Sequence, residues 1–411
     1  VRVSWPKVKL ADCVDLLAGF AFKSDQYTSS PDDIALVKGE NVSQGRILWD
    51  IAKRWPASDW QRLEKYQLQP GDVVVAMDRP WIPAGLKWAF IRKGDPAALL
   101  VQRCSRLRAS NGNLDQDFLR FVIGGPGFEN YVRPITTGVN VPHISGTQIL
   151  GFEFELPPLP LQRRIAAILS AYDDLVENCQ RRIRILEEMA RSLYREWFVD
   201  FRFPGHKDHP RVPSPLGEIP EGWEVKRLGE LAVEVRRNVP KGELSEPLPY
   251  VGLEHIPRRS LALDDWEVAT ELGSNKLAFK KGEVLFGKIR PYFHKVCVAP
   301  FEGVCSADTI VVDSRRPEDY AFVVACVSSD AFVAHATSTS NGAKMPRANW
   351  AVLEDYPVLL PSGAPGAQFS SLLTGIIAQQ QNLVRQSRTL RRTRDLLLPR
   401  LLSGQIALEG V

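Results

Sequence analysis

Two stretches decide how this chain is built: Gly71-Asp-Val-Val-Val-Ala-Met-Asp-Arg79-Pro80 and Gly282-Glu-Val-Leu-Phe-Gly-Lys-Ile-Arg290-Pro291. Each is a short, apolar, β-branched run opened by glycine and closed by Arg-Pro, the pattern of a strand running into a turn. Glycine and proline are equally spaced in both. Working outward, Thr137-Gly138-Val-Asn140-Val-Pro142 answers Asn341-Gly342-Ala-Lys344-Met-Pro346, and Leu156-Pro157 answers Leu360-Pro361, with one shared offset of 204 positions. The halves also open alike, with Trp5-Pro-Lys-Val-Lys-Leu10-Ala-Asp12 and Gly222-Trp223-Glu-Val-Lys-Arg-Leu228-Gly-Glu230. A repeat at about half the chain's length means two related domains in tandem.

Each half closes on a helical pattern. Residues 161–198 contain no glycine or proline, and apolar positions recur at Ile165, Ile168/Leu169, Tyr172, Leu175/Val176, Cys179, Ile183, Leu186, Met189, Leu193 and Trp197. A period near 3.5 residues marks a coiled-coil seam, and at about 1.5 Å per residue the helix runs roughly 55 Å. Phe203-Pro204-Gly205 stops it. A second helix over 367–403 has a mixed seam of Leu372, Ile376, Leu383, Leu390, Leu397 and Leu401, with Gln379/Gln380, Gln386 and Thr393 between them. Gly375 and Pro399 predict distortion near its ends. Pseudo-symmetry of the halves requires the two helices to pair antiparallel. Trp197 and Phe198 beside Tyr194 either dock a partner or cap the junction with the second domain. Strands are expected at 73–76, 89–92, 284–286, 296–299 and 309–312, and short helices at 116–123 and 319–327. The fold class is α+β.

Composition sets the outer limits. With 44% hydrophobic and 24% charged residues in 411, the chain is an ordinary soluble globular type. No apolar run approaches the roughly 20 residues of a membrane span, and Val1-Arg-Val-Ser-Trp-Pro lacks a signal-peptide core. A cytoplasmic protein is expected. The six cysteines are scattered with no C-x-x-C pair, which argues for reduced thiols and against zinc. His206 and His209 have no cysteine partner and read as a solvated linker. A net charge of only +4 suits nucleic acid if the cations gather on one face or partners supply the rest of the grip.

Catalytic motifs are missing from the sequence. The run from Gly282 to Lys288 imitates a phosphate loop, but Ile289 stands where Ser or Thr would hold magnesium. Pro157-Pro158 lies between leucines, not in the polar-Pro-Pro-aromatic motif of amino-methyltransferases. Gly124-Gly-Pro-Gly127 has no strand–turn–helix around it, and Glu224-Val-Lys226 lacks an upstream acid. No enzymatic activity is expected of this chain.

Three segments give the chain a family likeness: Leu156-Pro-Pro-Leu-Pro-Leu-Gln162-Arg-Arg-Ile165 running on to Asp173-Asp174, Leu186-Glu-Glu-Met-Ala-Arg-Ser-Leu-Tyr-Arg-Glu-Trp197-Phe198-Val-Asp200, and Leu390-Arg-Arg-Thr-Arg-Asp395-Leu-Leu-Leu-Pro399-Arg400-Leu-Leu-Ser-Gly404. They resemble the helix boundaries of type I restriction–modification specificity subunits, and the duplicated order extends the likeness to almost the whole chain. The proline-then-glutamine start is altered at Gly363-Ala-Pro-Gly366-Ala-Gln368. The resemblance implies two target-recognition domains in tandem duplication (1–158 and 223–362), separated by two long helices pairing as an antiparallel coiled coil (159–204 and 363–411), with a linker at 205–222. It implies a subunit that reads a bipartite, asymmetric site in double-stranded DNA and scaffolds two methyltransferase subunits, with restriction subunits able to join. S-adenosylmethionine would sit on the methyltransferase partner and no cofactor on this chain. The alternatives are a coiled-coil scaffold and a divergent DNA-modifying enzyme.

Base edges are read best by Arg, Lys, Asn and Gln. Arg79 and Arg290 sit at matching strand ends, as DNA contacts or as braces of the turn. Lys87 in the first half and Lys288 and Lys295 in the second are phosphate contacts or solvated surface. Thr137, Asn140 and His143, and their counterparts Asn341 and Lys344, belong to glycine-hinged loops that approach DNA or simply turn the chain. Arg236 and Arg237 form a phosphate-binding flank or a solvated rim.

Overall fold

The computed structural model describes residues 4–138, 141–342, 344–406 and 408. The chain forms two units, Val1–Asp174 with Arg391–Val411, and Leu175–Leu390.

In the first unit the entry strand Lys7–Lys9 pairs antiparallel with Glu153–Glu155, so the chain closes beside its own beginning. The central sheet has the order Val14–Ala18, Cys104–Ala109, Val73–Ala76, Trp88–Phe90, every pair antiparallel. All four residues of Val73–Ala76 are buried, which explains the unbroken β-branched run: both faces of the strand meet apolar side chains. A smaller sheet places Ile34–Val37 between Arg54–Trp55 and Ala98–Leu100, parallel to the latter. The helix Gln116–Ile123 is capped by the Asp115 carboxylate, which accepts from Phe118 N.

The second unit repeats that plan. Glu224–Arg227 pairs with Pro357–Leu360. The central sheet runs Ala232–Glu234, Thr309–Ser314, Val284–Gly287, Val296–Val298, matching the first position for position. Its other sheet is larger, with Gly242–Val251 parallel to Gly303–Ser306 at its heart. The helix Tyr320–Val327 is buried at every position after Tyr320. All six cysteines are buried free thiols, and burial pushes the Cys104 and Cys305 pKa values up to about 12. Among the described residues no single helix is long and apolar enough to cross a membrane, and no cluster of ligating side chains could hold a metal.

The long helices are Leu159–Tyr194, extended by a π-helical turn at Arg195–Val199, and Gly363–Leu402. Within the first unit the start of one meets the end of the other: Arg394 Nη1 donates to Asp173 Oδ1 at 2.6 Å. Within the second unit the opposite ends meet, with Phe198 and Phe369 ring centres 4.6 Å apart. The pairing is antiparallel. Gln162 fastens the first helix to its domain, accepting from Asp115 N and donating to Asn113 O and Pro157 O, each at 2.8 Å.

The seam differs in phase from the sequence expectation at Met189 and Leu372, and it resolves the expected pair Leu175/Val176 in favour of Val176. Leu175, Met189 and Leu372 face outward, and Val176, Ala190 and Leu373 take the inward places. Adjacent apolar residues make the phase ambiguous, and packing selects the one that keeps the 3.5-residue stripe continuous. The second helix starts at Gly363 and continues through Gly375 and Pro399. Trp197 and Phe198 are core residues of the second unit, packed with Trp223, Phe322 and Phe369, which is the junction reading.

Candidate nucleic-acid interface

The same corner is built in both units. In the first, strand Val73–Ala76 ends in a turn where Arg79, at φ 45°, donates its backbone N–H to Pro142 O at 2.7 Å. In the second, Arg290, at φ 50°, donates to Pro346 O at 2.8 Å. The Arg-Pro turn is therefore joined to the glycine-hinged loop in each unit, which neither repeat revealed alone. The loop necks match as well: Thr137 and His143 form one bridge, Asn341 and Arg347 the other. Non-glycine residues enter the left-handed region at a cost of order 1–3 kcal/mol, and such residues gather at functional sites.

Behind each corner sits a lysine. Lys87 is only 8% exposed, so the solvated reading is corrected, and burial holds its pKa below the ordinary lysine value, with Arg79 acting the same way. Its Nζ lies 3.9 Å from where a side chain on Gly39 would begin. Lys295 occupies the equivalent place. Its carbonyl accepts from Gly287 N at 2.8 Å as that of Lys87 accepts from Ala76 N at 3.0 Å. The Lys295 ammonium donates to Leu253 O, and burial also lowers its pKa, followed by the charge of Arg258.

The remaining candidates divide. Thr137, Asn341 and Lys344 are exposed on the loops, and Lys288 is half-buried, its N–H bonded to Asp308 O at 3.0 Å. His143 Nδ1 lies 2.5 Å from Asp78 Oδ1. Asn140 lies outside the described residues. Arg237 belongs elsewhere: its guanidinium grips the buried Glu283 at 2.8 and 2.7 Å, at the far end of the strand from Arg290. Glu283 raises the Arg237 pKa. Arg108 plays the same part in the first unit, where it holds the buried Asp72. Arg236 is exposed and paired with Glu234.

Three corner residues escaped the sequence reading. Arg103, at φ 69°, donates to Asp78 Oδ2 at 2.9 Å. Asp308 lies 3.5 Å from Arg347. Extending the loop match by one residue, from His143 to Arg347, would have found the last. Nothing in the sequence relates Arg103 to Asp308. Their equivalence is visible only in the backbone, where Met77 N bonds to Arg103 O as Lys288 N bonds to Asp308 O.

Comparison with known proteins fits this arrangement. A family described as the type I restriction modification DNA specificity domain matches residues 2–188. The type I restriction enzyme MjaIX specificity subunit of Methanocaldococcus jannaschii is 26% identical over 307 residues, which is 71% of this chain and 69% of that protein. A type I specificity domain is therefore matched over residues 2–188, and the chain at large is similar to type I specificity subunits. The EcoAI specificity subunit of Escherichia coli is 32% identical over 177 residues, covering 43% of this chain but only 29% of that protein. A crystal structure of the specificity subunit of the type I restriction–modification system of M. genitalium superimposes with a TM-score of 0.57 at 12% identity, covering 99% of this chain and 97% of that one. That likeness shows the fold. The curated relatives it matches are named as specificity subunits.

Proposed function

We propose that this specificity subunit reads a bipartite, asymmetric site in double-stranded DNA, one half-site per unit. The contacts are the corner residues Arg79, Thr137 and His143 in the first unit and Lys288, Arg290, Asn341 and Lys344 in the second, with Lys87 and Lys295 adding positive potential behind them; Asn140 is assigned to the same contacts on its sequence alone. One observation carries the reading. Of the described non-glycine residues with left-handed backbone, Arg79 and Arg103 lie at the first corner and Arg259, Arg290 and His294 at the second. The strained Arg-Pro turn is duplicated, and Arg79, Arg103 and Arg259 are exposed, which suits a phosphate-rich ligand with readable base edges.

The long helices act as spacers and carry two methyltransferase subunits, which bring S-adenosylmethionine. Restriction subunits can join that complex. Leu175, Ile185, Met189, Leu372 and Leu396 are exposed on these helices. Residues 1–158 and 223–362 are the recognition domains, 159–204 and 363–411 the spacers, and 205–222 the linker.

The test is methylation sequencing of DNA from a methylation-free host that expresses this chain with its neighbouring methyltransferase, against each protein alone. A split motif is expected only with both. Methylation by the neighbour alone, unchanged by this chain, would defeat the reading.

A further inference from the structure

The two corners share a backbone and differ in charge. Four backbone hydrogen bonds recur: Arg79 N to Pro142 O and Arg290 N to Pro346 O, Met77 N to Arg103 O and Lys288 N to Asp308 O, Ile144 N to Met77 O and Ala348 N to Lys288 O, and Thr137 N to His143 O and Asn341 N to Arg347 O, all between 2.7 and 3.1 Å. These contacts set three matched positions. Asp78 corresponds to Ile289, Arg103 to Asp308, and His143 to Arg347.

In the first unit a carboxylate on the Arg-Pro turn holds a cation on the neighbouring strand turn and the imidazole on the loop. In the second the carboxylate has moved to the strand turn, the Arg-Pro turn carries isoleucine, and the cation is on the loop. Both arrangements form the same frame, so neither set of charges is required to hold it. The side chains concerned reach solvent: Arg103 is 63% exposed, Arg347 54% and Asp308 37%. Arginine pairs with guanine O6 and N7, whereas aspartate accepts from cytosine N4. Exchanging their places on a fixed frame changes which base edges can be met.

We propose that these three matched positions (78/289, 103/308 and 143/347) determine which base pairs each unit selects. The inference rests on the DNA-reading function above and names the residues that make its halves unlike. Its test is the triple exchange Ile289→Asp, Asp308→Arg and Arg347→His in the full chain with its methyltransferase, read by methylation sequencing. One half of the motif should change while the other half and the spacer length stay fixed. Normal methylation of an unaltered motif overturns the proposal. A wild-type complex that yields no split motif defeats the DNA-reading function instead.

If the triple variant abolishes methylation, Asp308→Asn and Arg347→Gln are measured singly by equilibrium binding of the assembled complex to the wild-type duplex and to a scrambled one. The ratio of affinities should fall about tenfold or more, with scrambled-duplex binding unchanged. An unaltered ratio in both variants overturns the proposal.

Discussion

At the residue scale, Arg79 poses the sharpest choice, between a brace for the turn and a hand on DNA. Its φ of 45° lets the two be separated, because glycine takes the left-handed region without strain. Arg79→Gly removes the guanidinium and relaxes the backbone together. If the side chain braces the turn, stability falls. If it serves DNA, thermal stability holds or improves by up to about 1 kcal/mol, while specific binding by the assembled complex weakens by about 1–3 kcal/mol. We expect the second outcome, measured as Tm of the full chain and Kd of the complex in one buffer, since a brace would show in Tm alone. Sequence reading located Arg79 and Arg290 because a strand pattern and an Arg-Pro turn recur around them. It misjudged Lys87 and Arg237, because burial and pairing depend on residues far away in the chain: Glu283 claims Arg237 across 46 positions.

At the element scale, strand and helix positions followed closely from the residues. Val73–Ala76 was legible because a fully buried strand must be apolar on both faces, and Gln116–Ile123 because Asp115 caps it. Seam phase was less legible: Leu372 and Leu373 are both apolar, and only the partner helix decides which one is buried. Polar seam positions were legible as such, with Gln380 1% exposed and both its amide atoms without a hydrogen-bond partner. An unpaired buried amide costs about 1–3 kcal/mol, and a polar residue in a seam can fix register at the expense of stability. Gln380→Leu, of similar volume, should therefore raise Tm, by roughly 2–4 °C per kcal/mol. Gln380→Ala should gain less, because it leaves a void. A lower Tm for the leucine variant would mean that the amide is satisfied in solution.

At the scale of the whole molecule, the duplication acts on two levels. The backbone plan is repeated, down to the strand order of the central sheet and the hydrogen bonds of the corner, while the side chains on that plan diverge. The two long helices run from one unit into the other, by residues 174–175 in the first and 390–391 in the second. If they space two independent readers, their length sets the gap between half-sites and nothing else. Seven residues added at both of those points, with the inward positions kept apolar, preserve the 3.5-residue stripe and lengthen the pair by roughly 10 Å. At about 3.4 Å per base pair, the unread spacer of the methylation motif should lengthen by up to about three base pairs, with both half-sites unchanged in sequence. Insertion in one helix alone breaks the seam and should cost assembly. A matched insertion that alters the bases of either half-site would show that the helices shape the readers, and the division between reading and spacing would have to be abandoned.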